Sequence, residues 1–125
     1  MTSTQVINVK NDSCEVYVGR RRQDKLHFGN PFSHVKAEGT IHVKSREKAV
    51  SDFALWITGE DFKDVEQERR EWILNRLNYL YGKKLGCFCA PELCHGDVLK
   101  DLANGQSFAY ILERYAKEYD MFEEV

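Results

Sequence analysis

Two short β-rich runs open the chain, two amphipathic helical runs follow, and a third β-rich run then returns within "KKLGCFCA", residues 83–90, with its strand expected over 84–89. A strand that returns after helices has to pair with strands laid down earlier, which excludes a helical bundle and predicts helices layered on a sheet. The expected fold is α/β: a single domain, residues 1–125, with a small mixed β-sheet flanked by about four helices, a Rossmann-like three-layer sandwich.

The opening runs are "TQVINV", residues 4–9, and "CEVYVG", residues 14–19; between them "KNDS" supplies Asn11, Asp12 and Ser13, which favour a turn. So short a link predicts a hairpin, because a parallel pair ordinarily needs a crossover of about a dozen residues. Residues 20–44 carry no regular period and are punctuated by Gly29, Pro31 and Gly39. A long loop inside a compact domain commonly carries function.

Ser45 is the expected N-cap of "SREKAVSDFALWI", which sets Ala49, Phe53 and Trp56 or Ile57 along one face and Glu47 at the end where a helix favours an anion. "DVEQERREWILNRLNYLYG", residues 64–82, predicts one helix from near Asp64 to Gly82, with Val65, Trp72, Ile73, Leu77 and Leu80 inward. At helical spacing these aromatic residues read as core rather than as a base-stacking platform. After the returning strand, "DVLKDLANG" is a short helix ended by Asn104 and Gly105. "SFAYILERYAKEYDMF" is a last one with Phe108, Ile111, Leu112, Tyr115 and Tyr119 inward.

A chain of 125 residues, 42% hydrophobic and 30% charged, can bury one core without help from metal or disulfide. No apolar run approaches the roughly 20 residues that span a bilayer, and "MTSTQVINVK" lacks the order of a secretory signal. A net charge of −2 and the acidic tail "AKEYDMFEEV" argue against a surface that coats extended nucleic acid. Polyanion binding would have to be local, at "GRRRQDK", where Arg20, Arg21, Arg22 and Lys25 gather. The plainer reading of that stretch is a solvated charged loop.

Chemistry concentrates in "LGCFCAPELCHGDVL", residues 85–99, which holds Cys87, Cys89, Cys94 and His95. In an extended segment 84–89, Cys87 and Cys89 share one face and Phe88 takes the other. Pro91 helps end the strand, so that Cys94, His95 and Gly96 fall at the start of the next helix with Asp97 in its first turn. Unpaired N–H groups at that end favour a thiolate or an anion and lower a cysteine pKa, which makes Cys94 the best nucleophile candidate. Three readings stay open. They are a zinc site of Cys87, Cys89, Cys94 and His95, a functional thiol or imidazole beside a ligand pocket, and structural cysteines in the core. Against zinc, one pair lies in an extended strand and the last two ligands are adjacent. Stable disulfides are not expected in a cytoplasmic protein.

A second candidate is "GRRRQDKLHFGNPF", residues 19–32. Gly29 permits backbone shapes that other residues avoid, Asn30 before Pro31 favours a turn, and Phe32 can anchor the segment. It is either an ordinary structured loop or one in which Arg20 and the Asn30 side chain face the same pocket as the cysteines. Both candidates sit at carboxyl ends of strands, the usual place for ligands in α/β folds.

A strand ending near "YVGR", then "GNPF", the helix start of "SREKAV" and finally "GCFCAPELCHGDVL" together resemble domain-of-unknown-function family 4326, found in bacteria and bacteriophages, over about residues 5–103. Phe88 stands where that family usually has tryptophan, and the helical extension 106–125 looks particular to this chain. The "CH" at a helix start also resembles a motif of an uncharacterised α/β family numbered 488. The resemblance implies a small α/β domain and no established reaction. With the residues above, it leads to an expected small-molecule site that binds and processes a nucleotide or another phosphorylated compound. Cys94 would be nucleophile or anion-proximal thiol, His95 its acid–base partner, Asp97 an orienting acceptor, Arg20 a phosphate clamp and Asn30 a ligand hydrogen-bonder. Cys87, Cys89 and Gly96 would line the same site. Adjacent Cys94 and His95 side chains diverge, so His95 would serve the leaving group instead. The alternative is a non-catalytic binding module for a host or phage protein, with zinc-bound or structural cysteines. The expected location is cytoplasmic, in the host if the chain is phage-encoded.

Overall fold

The computed structural model describes residues 3–21 and 23–116; Arg22 and the far end of the last expected helix, with Tyr119, lie outside the described residues. In chain order the elements are β1 (Gln5–Asn8), β2 (Val16–Tyr17), β3 (Phe32–Ser33), β4 (Ile41–His42), α1 (Arg46–Ile57), α2 (Gln67–Leu74), α3 (Leu77–Leu80), β5 (Lys84–Cys87), α4 (His95–Ala103) and α5 (Phe108–Ile111). A π-helical turn, Leu112–Ala116, continues α5. The α/β class stands. No helix among the described residues is long and apolar enough to cross a membrane.

The first two strands do not form a hairpin. β5 lies between them and runs parallel to both, with Val6 and Val16 on either side of Leu85, and Ile7 and Tyr17 on either side of Gly86. The sheet is therefore parallel where a mixed one was expected. β1 ends level with Cys87 and β2 begins level with Leu85, so the link backs up by only two residues, about 7 Å, while it crosses one strand. It crosses directly over Gly86. A Cβ at that position would stand 2.6 Å from Cβ and Sγ of Cys14 and from Cγ1 of Val9, both in the link. Asn8 secures the far side, where its Nδ2 donates to the Ala90 carbonyl at 2.8 Å and its own carbonyl accepts the Asn11 and Asp12 N–H groups.

The loop over residues 20–44 contains a second small sheet, in which β3 and β4 pair in parallel. Its ladder is extended by the Ile41 N–H on the Pro31 carbonyl and the Val43 N–H on the Ser33 carbonyl, each at 2.9 Å. β3 packs on α1, and the Phe32 ring meets Phe62 with centroids 4.6 Å apart.

Ser45 caps α1 as its sequence predicts, its Oγ accepting the Lys48 N–H at 3.0 Å. The helix is buried on all sides rather than along one stripe, from Ala49 through Ile57 without a break. It touches α2, α4, β3 and the π-helical turn, which makes it the axis of the core. Asp52 within that run keeps an ion pair with Lys48 at 3.0 Å.

The single helix expected over 64–82 is two helices. Glu66 adopts a left-handed conformation with φ of 34°, which delays the start of α2 to Gln67. The break after Leu74 follows from Arg76. In an uninterrupted helix its N–H would bond the Trp72 carbonyl. That carbonyl instead accepts the Arg76 guanidinium at 3.1 Å, while the guanidinium lies over the Trp72 ring and the Arg76 N–H tightens onto Ile73. Ile73 and Leu80 are buried as expected, with Val65, Trp72 and Leu77 packed at the edge of the core. In the last helix Ile111 and Tyr115 face inward as expected, with Ala116 buried beside them and Leu112 partly buried, whereas Phe108, the first residue of α5, is exposed. The Tyr115 hydroxyl donates to Asp101 Oδ2 at 2.5 Å.

Because the link crosses in contact with Gly86, the substitution Gly86→Ala is expected to destabilise the fold by about 1–3 kcal/mol. Urea unfolding checks this as a lowered midpoint at unchanged slope.

Candidate functional site

A parallel β2 delivers its carboxyl end beside that of β5, with the Val18 N–H donating to the Gly86 carbonyl at 3.0 Å. Arg20 consequently stands at the same end of the sheet as the cysteine-rich turn. Between them, the β3 loop and the N-termini of α1 and α4 enclose a cavity of ≈ 230 Å³. Arg20, Asn30, Arg46, Cys89, Cys94 and His95 line it, together with apolar Phe32, Val50 and Leu93. Cys87, Gly96 and Asp97 are not among its lining residues. A Cβ on Gly96 would lie 3.1 Å from the Cys94 sulfur and 3.4 Å and 3.5 Å from Val6 and Val18, so this glycine seats α4 against the sheet.

The first turn of α4 organises the wall. Cys94 is its N-cap, and the Cys94 N–H donates to Asp97 Oδ2 at 3.1 Å, so Asp97 orients the helix start rather than the imidazole. The Cys94 and Cys87 sulfurs lie 3.3 Å apart, and the Ala90 N–H points at Cys87 Sγ from 3.4 Å. These donors reverse the roles that a helix N-terminus suggests. The hydrogen bond from Cys94, against burial and with help from backbone N–H groups, lowers the Cys87 pKa to about 6. Cys94, as the donor in that bond and buried besides, is held far above the ordinary thiol range. At 3.3 Å the two sulfurs can share one proton, with either of them as the donor.

His95 turns the other way. Its Nε2 sits 2.7 Å from the Val18 carbonyl and 3.1 Å from the Phe28 carbonyl. Carbonyls only accept, so Nε2 carries the proton and Nδ1 remains the basic nitrogen. Its ring meets Phe53 edge-on, centroids 5.1 Å apart. Burial pushes its pKa down to about 4; the two carbonyls oppose the shift, and the nearby Arg69 and Arg20 charges add to it. Neutral His95 thus ties the end of β2 and the 27–30 turn to α4.

This divergence also answers the zinc reading. Among the described residues no three His, Cys, Asp or Glu side chains gather where they could hold a metal ion. Cys87, Cys89, Cys94 and His95 do not converge, because the sulfur of Cys94 faces Cys87 while the next side chain faces two carbonyls. β5 stops at Cys87, so Cys89 is not on a strand face with it; Cys89 sits half-buried on the cavity wall. Phe88 is exposed, edge-on to Tyr17.

Arg20 and Asn30 reach the cavity largely spent. The Arg20 guanidinium donates to the Asn30 carbonyl at 3.0 Å and the Gly39 carbonyl at 3.2 Å, which braces the loop. The Asn30 amide donates to the Ala49 carbonyl at 2.9 Å and accepts the Phe32 N–H at 3.0 Å, so it fastens the β3 turn to α1 instead of waiting for a ligand. Gly29 is required by close approach, since a Cβ there would lie 2.6 Å from Arg20 Cγ. Buried Arg69 completes the frame: its Nη1 donates to the carbonyls of His27 and Gly29 at 2.9 Å and 2.6 Å, and its Nε pairs with Glu66 at 2.9 Å. The remaining basic loop residues Arg21 and Lys25 share a second cavity of ≈ 360 Å³ with Asp24, Glu38 and Glu66, where the charges are mixed.

The matching family model, described as Domain of unknown function (DUF4326), covers residues 4–105. The chain belongs to that family. The matched span contains every residue that lines the cavity, and it ends before the Ser107 cap of α5. No curated protein and no solved structure matches the chain.

Sequence reasoning about this DUF4326 domain missed Arg46. The residue lines the cavity; its Nη2 lies 3.5 Å from Glu92 Oε2, and its Nη1 is buried without a hydrogen-bond partner. A signal was there to be read: an arginine immediately after an N-cap opposes the helix dipole, so its charge needs another use.

His95 generates a pH test. Its folded pKa of about 4 lies below the unfolded value, so the unfolded chain protonates first as pH falls. Stability from this residue is complete above about pH 6.5 and is lost progressively toward pH 4, by about 2 kcal/mol at pH 5. In His95→Gln the drop in urea-unfolding free energy between pH 7.5 and pH 5 is expected to shrink by about that amount. An undiminished drop would contradict an imidazole held neutral in the folded chain.

Proposed function

We propose that this domain binds a small phosphorylated molecule in the Arg46-lined cavity, with a nucleotide's sugar–phosphate portion as the ligand of matching chemistry and size. One observation carries the reading. Arg46 lines a partly apolar cavity and its Nη1 is buried with no partner, and an unmatched buried cationic donor costs on the order of 1–3 kcal/mol or more. A phosphate oxygen would satisfy it, and a planar guanidinium suits phosphate better than a point charge does. Arg20 lends a second positive charge from the same wall while its own donors hold the loop. Phe32, Val50 and Leu93 supply apolar contact for the uncharged part of the ligand. The volume of ≈ 230 Å³ suits one sugar phosphate or part of a mononucleotide. Pockets that enclose larger ligands run to roughly 300–1,000 Å³.

Thermal-shift and calorimetric titration against inorganic phosphate, pentose phosphates and nucleoside monophosphates test the reading. A concentration-dependent rise in Tm is expected for the phosphorylated sugars. Arg46→Ala should weaken binding by about ten- to a hundredfold, the range of a lost charge-assisted hydrogen bond. Arg46→Lys should recover only part of it, because the fork geometry is gone. Stabilisation by no phosphorylated compound, or unchanged affinity in Arg46→Ala, would overturn it.

A further inference from the structure

The two sulfurs behind and within the cavity wall suit a chemistry that anion binding does not use. Cys87 and Cys94 are free thiols, both buried, with Sγ atoms 3.3 Å apart. They sit on firm supports, the last residue of the central strand β5 and the N-cap of α4. Cys94 lines the cavity and Cys87 does not, so a small solute that enters meets the first sulfur with the second directly behind it. A disulfide needs the sulfurs at about 2.05 Å, so closure asks for a movement of little more than ~1 Å shared between two side chains.

We propose that Cys87 and Cys94 form a thiol–disulfide site that a peroxide-class oxidant closes, with Cys94 as the attacking sulfur and Cys87 as the resolving one. Starting from the pair with one proton, the Cys87 sulfur takes the proton of Cys94, and the Cys94 thiolate attacks one peroxide oxygen. The O–O bond breaks. Cys94 becomes a sulfenic acid, and the departing hydroxide leaves as water with the proton returned by Cys87. The Cys87 thiolate then attacks the Cys94 sulfur, the S–O bond breaks and hydroxide departs. Two electrons pass from the sulfurs to the peroxide, and the products are one disulfide, one water and one hydroxide. Closure draws the Cys94 sulfur out of the cavity wall, so the oxidised chain offers a ligand a different surface. The assignment is independent of the phosphate reading, since it concerns covalent state and not affinity.

The test treats the folded 125-residue chain with equimolar hydrogen peroxide, then denatures, alkylates and maps it by mass spectrometry. The expected product is lighter by about 2 Da and has two of its four cysteines protected from alkylation. Cleavage after Glu92 separates Cys94 from Cys87 and Cys89, and Cys89→Ser tells the last two apart. In Cys87→Ser, which lacks both the proton acceptor and the resolving sulfur, Cys94 is expected to oxidise more slowly than in the wild type and what does oxidise to be trapped as a sulfenic acid by a 1,3-dione. A cross-link that uses Cys14 or Cys89, or four alkylatable thiols after treatment, overturns the proposal. The wild-type map decides this even where a cysteine variant fails to fold.

Discussion

The placement of the site depends on the contact between the β1–β2 link and the bare face of Gly86. With no side chain on that residue, the link lies flat across β5, and β2 comes back parallel on the far side. Had the chain turned into a hairpin, β2 would run the other way and Arg20 would leave the sheet at the end opposite Cys87. The crossing therefore fixes a functional geometry and not only a topology. It places the loop after β2, the end of β5 and the start of α4 around one cavity, at the carboxyl ends of parallel strands where α/β folds gather their ligands.

Once that end is assembled, two arginines hold its walls and a third is left over. Arg20 and the Nη1 of Arg69 donate to backbone carbonyls at 2.6–3.2 Å, the arrangement that lets an irregular segment be buried without orphaned acceptors, while Arg69 Nε pairs with Glu66 and its Nη2 is buried without a partner. Their charges also act on their neighbours. Burial, with Arg69 and Arg20 nearby, lowers both His27 and His95 to about 4, so the two histidines serve as neutral hydrogen-bonding struts at neutral pH. His27 accepts the Gly29 N–H at 3.0 Å, and His95 donates across to β2 and the turn. Arg46 stands outside this frame, with a buried donor and no carbonyl to take it, which is why the phosphate reading centres there.

The sulfur pair shows how a tertiary contact overrides a local rule. A helix N-terminus alone would favour the thiolate at Cys94. Here a second sulfur lies 3.3 Å away and also receives an N–H from Ala90, so the proton is shared within a pair instead of being lost from one thiol. Proton and charge are thus divided between the cavity wall and the residue behind it, an arrangement that suits a resolving pair better than a single nucleophile.

What the sequence determined by itself were features whose energetics lie within a few residues: the Ser45 cap, the burial of Ala49, Phe53 and Trp56, the start of α4 at Cys94, and the α/β class from a strand that returns after helices. Residue type and spacing also pointed to Arg20 and the cysteines together, and of these the structure places Arg20, Cys89 and Cys94 on one cavity but not Cys87. The tertiary structure alone decided the direction of β2, the break at Arg76, the spent amide of Asn30, the unmatched donor of Arg46 and the contact between the two sulfurs. Most of these turn on contacts between segments far apart in the chain, such as Cys14 on Gly86 or His95 on Val18. Cys87 and Cys94 are close in sequence, yet their contact forms only after the chain leaves a strand and enters a helix. Periodicity and propensity describe a residue's own neighbourhood, whereas a crossing, a shared proton or an orphaned donor is a property of what the fold packs against it.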